Sequence, residues 1–196
     1  MIRASGHVLG LLPAVYLVAS AIIFGLGANP IEWLTRNTGK WALILLLASL
    51  AITPVVKRVA KIRLGPWPVN CKKLMPWRRL LGLYAFVYAL AHFCIYLVFD
   101  LSFDFSFLWA DIKDRPYITV GFLAFIILLS LALTSSNYSR KKLGRHWVTL
   151  HKSVYVADFL VLLHFFWLIK ADFYRFWWYA AVYVVLMGLR YLPPKR

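Results

Sequence analysis

Three histidines inside long apolar stretches are the residues best suited to chemistry in this chain. His92 lies in an apolar run over 80–99, and His151 and His164 share another over 148–169. An ionisable side chain in hydrocarbon is costly, so each is a functional candidate by its position alone. If both runs cross a membrane in the same direction, His92 stands seven residues from the outer end of its run and His164 five from the outer end of its own. At 1.5 Å per helical residue these depths differ by only about 3 Å. Two imidazoles at one depth on adjacent helices can bind the two axial faces of a haem iron.

His151 lies 13 residues before His164. That is about 20 Å of helix rise, which suits a second haem stacked toward the other surface. The angle opposes it, because thirteen residues at about 100° each leave the two side chains about 140° apart. No histidine stands at the inner end of the run that holds His92. Arg78 occupies that level, 14 residues earlier; a guanidinium is a poor iron ligand but a good partner for haem propionates.

The bland alternative is that these histidines bridge helices by hydrogen bonds or line a proton path. A lone histidine would be read that way; two at matched depth, with a third one haem-stack away, favour ligation. His7 and His146 fall near the inner surface and read as solvated or headgroup-contacting, with His146 an outside candidate for the missing inner ligand. Asp158 is mid-membrane and close to the face of His151. It reads as a paired or protonated structural residue ahead of a role in proton transfer or quinone binding.

The elements that carry these residues follow from composition. Hydrophobic residues make up 62% of the 196 positions and charged residues 15%, too few to clothe a soluble core. Apolar runs cover 8–26, 41–56, 80–99, 117–134, 148–169 and 174–192, each near the length of about 20 residues that crosses a bilayer as a helix. The runs are continuously apolar, whereas barrel strands alternate. The expected fold is all-α: one bundle of six transmembrane helices over 1–196, with no room for a second domain. Arg3 before the first run imitates a secretion signal, but a signal core is shorter, about 7–15 residues, so the run is read as a retained span.

The net charge of +16 would suggest nucleic acid, but its distribution does not. With a cytoplasmic N-terminus, 17 of the 23 basic residues fall on inner segments, chiefly the loops 57–79 and 140–147, and six of the seven acids fall outside. This positive-inside pattern places both termini in the cytoplasm. The basic loops are then topology signals and lipid-headgroup contacts rather than a nucleic-acid surface. Cys71 and Cys94 lie at different depths and form no disulfide. There is no C-x-x-C-H for covalent haem attachment, and no glycine-rich nucleotide fingerprint.

Several stretches taken together resemble a known family. They are Asn29-Pro30, Thr53-Pro54, Arg115-Pro116-Tyr117-Ile118-Thr119-Val120-Gly121, Leu133-Thr134-Ser135, the segment Leu143 to Tyr155, and Leu163-His164 followed by Trp167 to Asp172. From about residue 10 to residue 192 the chain is similar to the haem-binding membrane subunits of methionine sulfoxide reductase systems, within the ferric reductase-like transmembrane family. The resemblance implies one or two b-type haems, with His92, His151 and His164 at the family's haem-ligand positions. Family members that are oxidases carry a further histidine where this chain has Arg78. The resemblance also implies a bacterial inner-membrane location, and electrons from the quinone pool or a cytosolic flavin reductase. FMN could bind as well. The implied acceptor is a periplasmic molybdopterin enzyme of the MsrP type that reduces methionine sulfoxide in oxidised proteins.

Two rival functions fit the same residues. A haem reductase acting directly on ferric ions or quinones would use the acidic outer loop of Asp100, Asp104, Asp111 and Asp114. A haem-free proton or solute transporter would use His92, Asp158 and His164 as a relay. The second is weakened because no inverted repeat or paired broken helices are evident.

Overall fold

The computed structural model describes residues 2–59, 74–169 and 173–191, without the side chains of 2–4, 59, 173 and 191. Residues 60–73, Cys71 among them, Lys170 to Asp172 and the basic residues Lys195 and Arg196 lie outside the described residues. The chain forms α1 (Ile2–Phe24), α2 (Pro30–Val59), α3 (Met75–Ile95), a π-helical turn (Tyr96–Asp100), α4 (Phe105–Asp114), α5 (Pro116–Leu133), α6 (Asn137–Leu143), α7 (Arg145–Lys152), α8 (Val154–Leu168) and α9 (Phe173–Tyr191). Among the described residues there is no strand. The protein is an all-α membrane bundle.

Helix starts follow local chemistry. Asn29 caps α2, its Oδ1 accepting from the Glu32 N–H at 3.1 Å, while Pro30 takes the first position, where no N–H is needed. Pro116 opens α5 in the same way. The Asp104 carboxylate caps α4 by accepting from the Ser106 N–H and hydroxyl, which hold it below the usual carboxylate range.

Five stretches are long and apolar enough to cross a membrane: Ser5–Phe24, Pro30–Arg58, Met75–Asp100, Pro116–Leu133 and Arg145–Leu168. The expected sixth span, α9, has 19 residues but carries Arg175 and Arg190 and falls short of that apolarity. The stretch holding His151 and His164 is interrupted at Ser153, which separates α7 from α8. Large apolar side chains such as Ile22, Val87, Ile126 and Val184 point outward, as they do where the surroundings are lipid rather than water.

α2 is the axis of the bundle, packed against α1, α3, α8 and α9, and α5 packs on α8 and α3. Leu46 of α2, Ala85 of α3, Leu128 of α5 and Ala157 of α8 meet in one buried cluster. Ala85 and Ala157 are fully buried, and small side chains at such points let helices approach closely. The helix ends and short connecting helices divide the bundle into an acidic end, with Glu32, Asp104, Asp111 and Asp114, and a basic end, with Arg58, Arg79, Arg140 and Lys141.

Candidate functional site

At the acidic end, α3 and α8 bring the His92 and His164 rings face to edge, with centroids 6.2 Å apart and planes at 84°. Each ring is anchored to a different helix. His92 Nδ1 lies 2.9 Å from the Thr35 carbonyl oxygen on α2, and His164 Nδ1 lies 2.7 Å from the Tyr117 carbonyl oxygen on α5. A carbonyl can only accept, so each Nδ1–H donates, and a neutral ring keeps its lone pair on Nε2. This is the tautomer an imidazole metal ligand needs, with its orientation fixed by the second bond.

Two glycines make the anchoring feasible: Gly39, which the sequence reading passed over, and Gly121, which it quoted only as the end of the Arg115–Gly121 stretch. A Cβ on Gly39 would lie 3.1 Å from His92 Cε1 and Nδ1, and one on Gly121 would lie 2.7 Å from His164 Nδ1. Each glycine follows its anchoring carbonyl by four residues, Thr35 then Gly39 and Tyr117 then Gly121. The ring therefore rests over one helical turn whose side chain is missing. A glycine within an apolar helix costs about 1 kcal/mol relative to alanine, and that cost is the signal that could have flagged both positions.

The pair suits haem iron better than a bare ion. The two rings, 6.2 Å apart and each with its Nε2 lone pair unspent, would hold a haem iron from two separate helices. Among the described residues no group of three or more His, Cys, Asp or Glu comes together. Two protein ligands are too few for a protein-built site with three or four, but sufficient where a porphyrin supplies the equatorial nitrogens. Phe93 of α3 and Phe125 of α5 stack at 4.6 Å between centroids and join those two helices.

The basic end is built differently. His151 on α7 stacks on Trp147 with centroids 4.0 Å apart, and its Nε2 lies 3.1 Å from the Thr134 hydroxyl at the end of α5. The Trp147 indole N–H donates to the Thr134 carbonyl at 2.9 Å. The charges of Arg78 and Arg79 bear on His151 across the gap from α3. Arg78 is tied to α2 through its Nη1 and the Thr53 hydroxyl at 3.4 Å, and through its carbonyl, which accepts from Ser49 at 2.8 Å. His146 is exposed, and His7 bonds the Tyr84 hydroxyl at 3.0 Å. Neither is joined to His151. Asp158 is fully buried on α8, between the two ends.

Residues 38–163 match the family described as the ferric reductase like transmembrane component. The matched stretch holds His92 and His151 and stops one residue short of His164. The chain is 42% identical to a protein of Ralstonia nicotianae named protein-methionine-sulfoxide reductase heme-binding subunit MsrQ, over 96% of this chain and 84% of the relative. Proteins with the same name from Herminiimonas arsenicoxydans and Rhodospirillum rubrum are 42% and 40% identical, over 97% and 99% of this chain and 84% and 89% of theirs.

Proposed function

The chain belongs to the ferric reductase-like transmembrane family, and from that premise we propose that it is a haem-binding electron-transfer subunit of a methionine sulfoxide reductase system. The observation that carries the proposal is the His92–His164 pair, 6.2 Å apart with both Nδ1 atoms spent on backbone carbonyls. His92 and His164 would hold one b-type haem near the acidic end, and His151 with Arg78 would serve a second near the basic end only once His151 Nε2 leaves the Thr134 hydroxyl. When bound, the haem supplies one-electron exchange between ferric and ferrous iron, chemistry that no side chain here provides.

The protein's own contribution is positional. Thr35 and Tyr117 fix the tautomer and tilt of the two imidazoles, and Gly39 and Gly121 make room for them. The helices around them leave both rings half-buried. At the basic end Arg78 supplies a fixed positive charge suited to a propionate. In a bacterial inner membrane with the basic end cytoplasmic, electrons would enter from the quinone pool or a cytosolic flavin reductase. They would leave at the acidic end to a periplasmic, molybdopterin-dependent methionine sulfoxide reductase of the MsrP type.

The test is absorption spectroscopy of the purified protein, oxidised and dithionite-reduced, with haem quantified per chain. The reduced protein is then mixed with the periplasmic reductase and methionine sulfoxide. A b-type spectrum that reoxidises only when both are present is expected. A colourless protein after expression with ample haem would refute the proposal, and ferric reduction without the partner would favour a stand-alone reductase.

A further inference from the structure

Asp158 is the one acid within the apolar runs, and it is fully buried on α8. Neither of its carboxyl oxygens has a hydrogen-bond partner among the described residues, and the same holds for Arg190 Nε. Arg190 comes from α9 and spends its other nitrogens elsewhere. Nη1 donates to the Tyr155 hydroxyl at 2.7 Å, Nη2 donates to the Leu50 carbonyl of α2 at 2.5 Å, and the guanidinium lies 4.9 Å from the centre of the Tyr155 ring.

A carboxyl group in this setting is expensive. An apolar residue of similar size would pack without an unsatisfied oxygen, and a purely structural carboxylate would be paired. The cost makes sense if the group must change its charge. The charges that face it are few. Arg190 is the described charge whose field bears on Asp158, and Arg78 of α3 bears in turn on Arg190. From α2 the cluster meets the Leu50 carbonyl, and from α9 the Tyr183 hydroxyl, which donates to the Tyr155 carbonyl at 3.2 Å.

The position is equally specific. Asp158 precedes His164 by six residues of α8, about 9 Å of helix rise, and follows His151 by seven across the break at Ser153. Charges that close in a low-dielectric interior are little screened by salt.

Resting on the haem reading above, we infer that Asp158 is a proton-accepting site whose occupancy follows the charge on the bound iron. Beside ferric iron the extra positive charge favours the carboxylate; when one electron arrives that support is lost, and a carboxyl oxygen binds a proton. The balance is one electron from the one-electron donor and one proton from water, giving ferrous iron and a neutral carboxyl group. One O–H bond forms, and the net charge of the buried region is unchanged. Arg190 and Tyr155 extend the polar cluster toward the basic end, the side from which the proton arrives.

The experiment is a potentiometric titration of the haem-loaded full chain across neutral pH, for the native protein, Asp158→Asn and Asp158→Glu. It is paired with reduced-minus-oxidised infrared difference spectra. The native midpoint potential is expected to fall by up to about 59 mV per pH unit, one proton per electron, with a protonated-carboxyl band appearing on reduction. Asp158→Asn should flatten the slope and remove the band, and Asp158→Glu should keep both. If Asp158→Asn does not accumulate, the native infrared spectrum decides, because a missing carboxyl band overturns the inference. A haem-loaded protein whose slope is flat, or survives in Asp158→Asn, defeats this inference alone. A native protein that binds no haem defeats the haem reading and this inference with it.

Discussion

At the acidic end His92 and His164 present paired rings, each held by a backbone carbonyl and floored by a glycine. At the basic end a single histidine, His151, has its Nε2 on the Thr134 hydroxyl and its ring face on Trp147. The first arrangement spends Nδ1 and leaves Nε2 for a metal, whereas the second engages Nε2 within the protein. The difference teaches that a histidine at membrane depth is not enough. What prepares it as a ligand is a partner for the other nitrogen and space beside the ring.

That contrast can be broken most directly at the histidines. Either His92→Ala or His164→Ala should abolish the acidic-end haem, read as complete loss of its share of the reduced absorption band. A normal spectrum in either variant would remove the pair from the site. Next in size, His151→Ala should leave the acidic-end spectrum intact and lower the haem count by no more than one per chain; loss of all haem would show that the two ends are not separate. The glycines sharpen the comparison further. Gly121→Ala should weaken haem retention about 10–100-fold, the usual effect of disturbing a residue that orients a ligand. Gly39→Ala should do less, since its added Cβ sits at 3.1 Å from the ring against 2.7 Å at Gly121. Haem-retention assays in detergent would rank them. The smallest effect belongs to Tyr96→Phe, which removes the 2.6 Å bond from the Tyr96 hydroxyl to the Asp111 carboxylate. It should cost about 2 kcal/mol of stability in thermal unfolding and leave the haem spectrum unchanged.

Much of this was legible in the sequence because depth along a helix is simple arithmetic. The counts that placed His92 and His164 at one level need only the ends of two apolar runs, and Asn29-Pro30 announces a helix start by itself. Rotation about a helix axis is not written so plainly. Nothing in Thr35 or Tyr117 says that its carbonyl will receive an imidazole, because every residue carries the same acceptor. The break at Ser153 was equally hidden, having neither glycine nor proline to mark it, and it undoes any angle counted straight from His151 to His164. The stretch read as an acidic outer loop contains α4, whose ten residues are too few to stand out by periodicity. Asp158 could be placed at mid-membrane from the sequence, but its lack of a partner depends on how α2, α8 and α9 pack.

The central proposal is that His92 and His164 together hold one haem iron. Electron paramagnetic resonance of the oxidised, purified protein tests it most directly, because the signal reports both the number of strong axial ligands and the angle between their planes. Rings at 84° predict a low-spin ferric signal of the strongly anisotropic type given by nearly perpendicular imidazoles, lost in His164→Ala. A high-spin signal from the native protein, or a low-spin signal that persists in His164→Ala, would contradict the claim.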